Sequence, residues 1–335
     1  MISIGNLQIN KLCLGDVEVS KAYLGDVEVY GSTPKYMTIT VDKSNTGSTV
    51  ISPKVSGSLP NLNLQYRVNN GDWTDFIVGT TADITAQPGD VVQFKGNNPN
   101  EFSIDTSNYF RFYISGNTVH LSGNVMSLID GVGDELMIPN AYCFYRLFYG
   151  SSIKTVSPDF LPAIELKPYC YEYMLAYCSS LTQLPELNAQ SLKPYCYSYM
   201  FSYCKSLKTT TALPAKLLEP HCYEYMFLNC DSLIDAKEIS AEILAERCCA
   251  DMFTFCKSLV QAPILKAKTM VSCCYNSMFR GCTNLNYVRC LATSGTINAN
   301  ADSWLDDVAN YGTFEYPAGV DYKYYIPYNW TKKEI

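Results

Sequence analysis

Cysteine and histidine are the side chains here most able to do chemistry, and their numbers are lopsided: 15 cysteines against two histidines, His120 and His221. A Ser-His-Asp triad, a Cys–His pair or a histidine-rich metal centre needs imidazoles as bases or ligands, and two leave almost nothing to build with. Ten of the cysteines form Cys-x7-Cys pairs, whereas structural zinc sites use Cys-x2-4-Cys pairs. No phosphate-binding glycine loop and no dinucleotide fingerprint is present. The sequence therefore predicts no catalytic residue, no metal and no cofactor, and hence no enzyme.

The elements that position these cysteines come from a repeat. Met174, Met200, Met226, Met252 and Met278 stand 26 residues apart, with Cys170, Cys196, Cys222, Cys248 and Cys274 four residues before them and Cys178, Cys204, Cys230, Cys256 and Cys282 four after. Ladders of leucine follow, Leu181 to Leu285 and then Leu187, Leu213, Ile239, Leu265 and Leu291. Spacings of i, i+4, i+8 and i+11 fall on one side of a helix, since each step of four advances only about 40°. Pro168, Pro194 and Pro220 suit helix starts. The segment Leu181–Leu187 is too short for another helix and suits a turn and a brief strand.

On that expectation the unit is helix, turn, strand, turn. Five regular units fill 168–297, and a degenerate unit at 140–153 precedes them. Units that cannot bury an apolar face alone must stack, with strands about 4.8 Å apart and helices about 8 to 10 Å apart, which forces curvature. Helix-borne cysteines eight residues apart are separated by about 12 Å along the axis, beyond the roughly 7 Å limit for a disulfide. The thiols are thus expected to be small buried apolar groups. Spacing leaves open the redox state of Cys13 and of the vicinal pairs Cys248-Cys249 and Cys273-Cys274.

The run Cys-Tyr-x-x-Met-Phe-x-x-Cys-x-Ser-Leu, at Cys196–Leu207 and again at Cys222–Leu233, resembles BspA-like leucine-rich-repeat proteins of host-associated bacteria. The resemblance covers 140–297 and extends toward Trp304-Leu305 and Ile326–Thr331. It implies adhesion or recognition by an exposed repeat surface, with no catalytic residues to carry over. The units lack the asparagine ladder of the commonest leucine-rich consensus.

Upstream, Leu14-Gly15-Asp16-Val17-Glu18-Val19 recurs ten residues later as Leu24–Val29, each an alternating strand after a Gly-Asp turn. This segment is similar to N-terminal parts of phage tail and baseplate-associated proteins. From Tyr36 to about Gly116 short alternating runs, such as Met37–Val41, Leu62–Val68 and Val91–Phe94, are punctuated by Gly, Pro and Asn, and Asn70-Gly71 signals a hairpin. They predict an immunoglobulin-like sandwich of about 80 residues.

The expected fold class is therefore α+β: a short β-rich segment (1–35), an immunoglobulin-like β-sandwich (36–116), a curved leucine-rich-repeat solenoid of helix plus short strand (117–297), and a C-terminal cap (298–335). The formal charge of −7, with scattered basic residues, argues against nucleic acid, and no run approaches the roughly 20 apolar residues of a membrane-crossing helix. The expected partner is a protein or glycan on a host or microbial surface.

Two surfaces are candidates for binding. One is the polar series Gln183, Thr209, Asp235, Gln261 and Tyr287, which should project outward between leucines of the inner strands. The other is the recurring Tyr173, Tyr199 and Tyr225, rows that bind ligands or pack units together. A cell-surface or extracellular place fits this function, although the start carries no secretory signal pattern. The alternative, a structural or receptor-binding part of a phage tail made in the cytoplasm, needs no such signal.

Overall fold

The computed structural model describes residues 35–335 except 45, 296–300 and 323–324, and before residue 35 the backbone of three short hairpins. These pair β1 (Ile2–Ile4) with β2 (Leu7–Ile9), β3 (Cys13–Leu14) with β4 (Val17–Glu18), and β5 (Ala22–Leu24) with β6 (Val27–Tyr30). In sequence, Ile4-Gly5-Asn6-Leu7 is a looser third copy of the ten-residue motif.

Two antiparallel sheets follow. β7 (Met37–Val41), β9 (Leu64–Val68), β10 (Thr74–Asp75), β12 (Val91–Gly96) and β14 (Val119–Ser122) form the larger one, in the order β10-β9-β12-β7-β14, and β15 (Ile153–Val156) extends it. β8 (Thr49–Ser56), β11 (Ile84–Ala86) and β13 (Tyr109–Gly116) form the smaller, in the order β11-β8-β13. Period-two alternation sends Met37, Ile39 and Val41, then Val92 and Phe94, into the core, where Phe94 meets Phe112 of the facing sheet at 4.6 Å between ring centres. Asn69 and Asn70 both adopt positive φ and turn β9 into β10, one residue earlier than the Asn-Gly pair suggested.

The sandwich is present, but the immunoglobulin-like expectation needs correction. An immunoglobulin domain places its first strand at a sheet edge. Here β7 lies inside the larger sheet, between β12 and β14, and β14 falls beyond residue 116.

The larger correction concerns the repeat. The chain is 2% helical and 24% strand, and among the described residues the only α-helix is α1 (Ser127–Asp130), so the α+β, helix-plus-strand leucine-rich-repeat solenoid is overturned. Where helices were expected, each unit runs through three linked turns. Cys170 N–H donates to Lys167 O, Met174 N–H to Tyr171 O and Cys178 N–H to Leu175 O, each three residues back. The third residue of each turn, Tyr169, Tyr173 or Tyr177, has φ near +60°, the signature of a type II turn, and Pro168 occupies the second place that such a turn favours.

Glu172 and Ala176 likewise donate three residues back, to Tyr169 and Tyr173, and the alternate amides point to the next unit rather than to residue i−4. Tyr169, Tyr171, Tyr173, Leu175 and Tyr177 donate to the carbonyls of Pro194, Cys196, Ser198, Met200 and Ser202 at 2.8–3.1 Å. A left-handed conformation costs a non-glycine residue on the order of 1 kcal/mol, and rung-to-rung hydrogen bonding and stacking offset that cost. The left-handed sites hold Tyr, His, Asn, Arg, Asp, Phe, Cys, Ser and Gly but none of the β-branched residues that tolerate it least. At one glycine among them space is tight as well: a Cβ on Gly281 would lie 2.3 Å from the Phe255 ring, which would have to shift.

Successive 26-residue rungs also meet at isolated parallel bridges in three columns, represented by Asp235↔Gln261, Leu213↔Ile239 and Leu217↔Ile243. Between them runs a dry interior of Cys, Met, Leu and Phe, with Phe201, Phe227, Phe253 and Phe279 stacked at 5.5–5.6 Å. The second cysteine column does more than fill space. The thiols of Cys204, Cys230, Cys256 and Cys282 donate to the carbonyls of Leu175, Phe201, Phe227 and Phe253 at 3.0–3.3 Å.

The degenerate unit at 140–153 is a seam rather than a free end. Phe144 and Phe148 pack on Phe102 and Phe112 of the sandwich, and β15 pairs in parallel with β14. At the other end Trp304 stacks on Tyr275, and the parallel strands β16 (Tyr287–Arg289), β17 (Thr313–Tyr316) and β18 (Thr331–Glu334) continue the ladder.

Candidate functional site

Two long faces of the rung stack hold all the candidate binding residues. The ladder face carries the polar series. Gln183 bridges to Thr155, and Thr209, Asp235, Gln261 and Tyr287 bridge in succession, so four of the five share one unbroken column. Gln183, Asp235 and Gln261 are exposed, while Thr209 and Tyr287 are half-buried. The contacts they make are peripheral: Thr209 Oγ1 reaches Asp235 Oδ2 at 3.3 Å, Lys237 Nζ reaches the same oxygen at 2.5 Å, and Tyr287 donates to Glu315 at 2.7 Å. Exposed Ile234, Val260 and Ile264 lie beside the column. A hollow of about 390 Å³ opens there, lined by Asp235, Glu238, Gln261, Pro263 and Ile264 among others.

The turn face carries the tyrosines. Tyr173, Tyr199 and Tyr225 stack face to face at 4.4 Å with interplanar angles of 13° and 17°, and Tyr177 stacks on Tyr203 at 4.3 Å. A third column runs Tyr142, Tyr169, Tyr195 and His221 at 4.3–4.6 Å. The ends of the first column are occupied too: the Arg146 guanidinium sits 5.0 Å over Tyr173, and Tyr225 hydrogen-bonds to Asp251. Sugar rings and apolar ligands bind aromatic faces, and these faces already meet one another. What the columns offer outward is ring edges and hydroxyls. Burial raises the phenols of Tyr173, Tyr199 and Tyr225 above their usual range, Tyr173 to about 12.

Between the tyrosine columns lies a set of charged groups that sequence reasoning did not single out. Buried Glu224 accepts from His221 Nδ1 at 2.7 Å and from Arg247 Nε at 2.8 Å. Two rungs earlier Glu172 is half-buried; desolvation, opposed by Arg146 and reinforced by Glu224, pushes its carboxyl up to about 7. A tyrosine row interrupted by Glu at one rung position, Glu172, Ser198, Glu224, Ala250, was the available signal.

His120 sits apart in the sandwich sheet, bonded to Thr155 Oγ1 at 2.7 Å, with Asp42 3.6 Å from its Nε2. Asp42 itself is held well below the ordinary carboxylate range, chiefly by its hydrogen bond to Lys154.

The cysteines are poor nucleophiles in this setting. Burial raises the thiols of Cys178, Cys196 and Cys230 to about 12, the reverse of the lowered pKa that activates a thiolate. Cys143–Cys290 are free thiols, all buried except the half-buried Cys273; the side chain of Cys13 lies outside the described residues. Among the described residues no group of three His, Cys, Asp or Glu is placed to hold a metal ion, and no helix is long and apolar enough to cross a membrane. Compared with known proteins, the chain matches no family model, no curated protein and no solved structure.

Proposed function

We propose that this chain is a non-catalytic recognition protein that binds a protein or glycan through the ladder face of its rungs, at a host or microbial surface. The observation that carries it is the column Thr209, Asp235, Gln261 and Tyr287, with Gln183 bridged to Thr155 before it: the series is largely open to solvent and its side chains differ from rung to rung on a hydrogen-bonded frame. Side chains held on regular elements are well placed for selective contact. The BspA-like motif agrees with such a role but supplies no ligand.

Protein and glycan arrays probed with the full chain and with Asp235→Ala/Gln261→Ala test this proposal. Ligands captured by the wild type should be lost by the double variant while its melting temperature holds, and undiminished capture would contradict the proposal.

A second role, as part of a phage tail, draws on the three tandem hairpins at Ile2–Ile9, Cys13–Glu18 and Ala22–Tyr30. Antibody labelling of purified particles in the electron microscope distinguishes the two.

A further inference from the structure

Beside the ladder column the outward positions of three successive rungs enclose a second, larger hollow of about 610 Å³, within the range of small-ligand and short-peptide sites. Leu265 and Ala267 point into the core, and between them the chain turns Ile264, Lys266 and Lys268 outward. Arg289 and Leu291 line it from the next rung, and Glu242 and Ile243 from the preceding one. On a chain of formal charge −7 this hollow gathers three cations against one carboxylate.

The carboxylates nearby are already engaged. Glu242 pairs with Lys216 at 2.9 Å, and Glu238 pairs with Lys266. Glu315 takes Lys333 Nζ and Tyr287 OH, each at 2.7 Å, and stands 3.8 Å from Arg289 Nε, too far for a hydrogen bond. That nitrogen is buried without a hydrogen-bond partner among the described residues. Among them, too, no carboxylate lies within ion-pair distance of Lys268. Lys268 thus has charge to spare, and Arg289 keeps an unused hydrogen-bond donor beside its ion pair with Glu315, next to aliphatic side chains left in water, Ile243 at 60% and Ile264 at 40% exposure.

We propose that this hollow binds an acidic peptide segment in extended form, its carboxylates on Lys268 and Arg289 and its aliphatic side chains over Ile243, Ile264 and Leu291. The proposal rests on the ladder side being the recognition surface and names the ligand class. Spacing favours a peptide: Ile264, Lys266 and Lys268 stand two residues apart, as do the side chains on one face of an extended strand. The lining holds no aromatic ring for a sugar to stack on.

The test uses a fluorescent peptide repeating Leu-Ser-Asp-Ser-Asp, its Asn-for-Asp twin, and polygalacturonate as an anionic glycan, each titrated onto the full chain by anisotropy. The acidic peptide should bind, weaken with salt, and lose about tenfold in affinity in Lys268→Gln and in Arg289→Gln, with unchanged melting temperatures. No binding, equal binding by the Asn twin, indifference to both variants, or polygalacturonate binding in the peptide's place overturns the proposal. If array ligands still depend on Asp235 and Gln261 when the peptide fails, the ladder-face function stands and this inference alone falls.

Discussion

The turn face and the ladder face are built from the same rungs, yet they use repetition in opposite ways. On the turn face and in the interior behind it a side chain stacks on a counterpart from the next rung: Tyr199 lies between Tyr173 and Tyr225, Phe227 between Phe201 and Phe253, each pair in parallel stacking. On the ladder face Asp235 stands between Thr209 and Gln261, and no neighbour satisfies it by identity. Where the sequence repeats, contacts are spent within the stack; where it varies along a column, side chains remain for something else.

The largest expected effect breaks the repeating side. Met226 is fully buried at the centre of the stack, so Met226→Asp should cost about 4 kcal/mol or more in chemical denaturation, by placing an unpaired charge among apolar side chains. Near-wild-type stability would mean that this interior is wet.

Glu172 sharpens the contrast, being a polar residue that the repeating face has enclosed. Its carboxyl titrates near 7 in the fold against an ordinary 4.5, because burial disfavours the charge. The folded state therefore holds the proton more tightly than the unfolded chain. This group's contribution to stability is full below pH 4.5, declines as pH rises to about 7 and is gone above. Glu172→Gln should flatten that decline and leave the variant on the order of 1–2 kcal/mol more stable than wild type in mildly alkaline buffer. Thermal melts across the range read the difference, and parallel pH profiles for both proteins would refute it.

Legibility in the sequence follows the same division. Alternation in Met37–Val41 and Val91–Phe94 reflects a two-residue period that no helix shares, and those strands stand where the sequence places them. The sandwich's strand order was not legible, because nothing local in β7 says that β12 and β14 will flank it. The column from Thr209 to Tyr287 is readable from alternation, since bridge positions behave as strand residues do.

The turn face looks helical in sequence because Cys170, Met174 and Cys178 satisfy two geometries, an α-helix drifting about 40° per step of four and a chain of turns that does not drift. The discriminating signal lay one residue earlier. Tyr169, Tyr173 and Tyr177 keep the same step of four, and no unit puts a β-branched residue in those places. Lys268 and Arg289 gave no signal of convergence, since they belong to different rungs and meet only across the stack.

The left-handed residue in every tetrad is what makes the rung a chain of turns, and Asn229, with φ of +58° and half-buried, is a place to measure it. Comparing the unfolding free energies of Asn229→Gly and Asn229→Ala gives a result whose sign decides. A left-handed turn makes the glycine variant the more stable by about 1 kcal/mol. A helix there would make the alanine variant the more stable by a similar margin, and that order would contradict the turn-built rung.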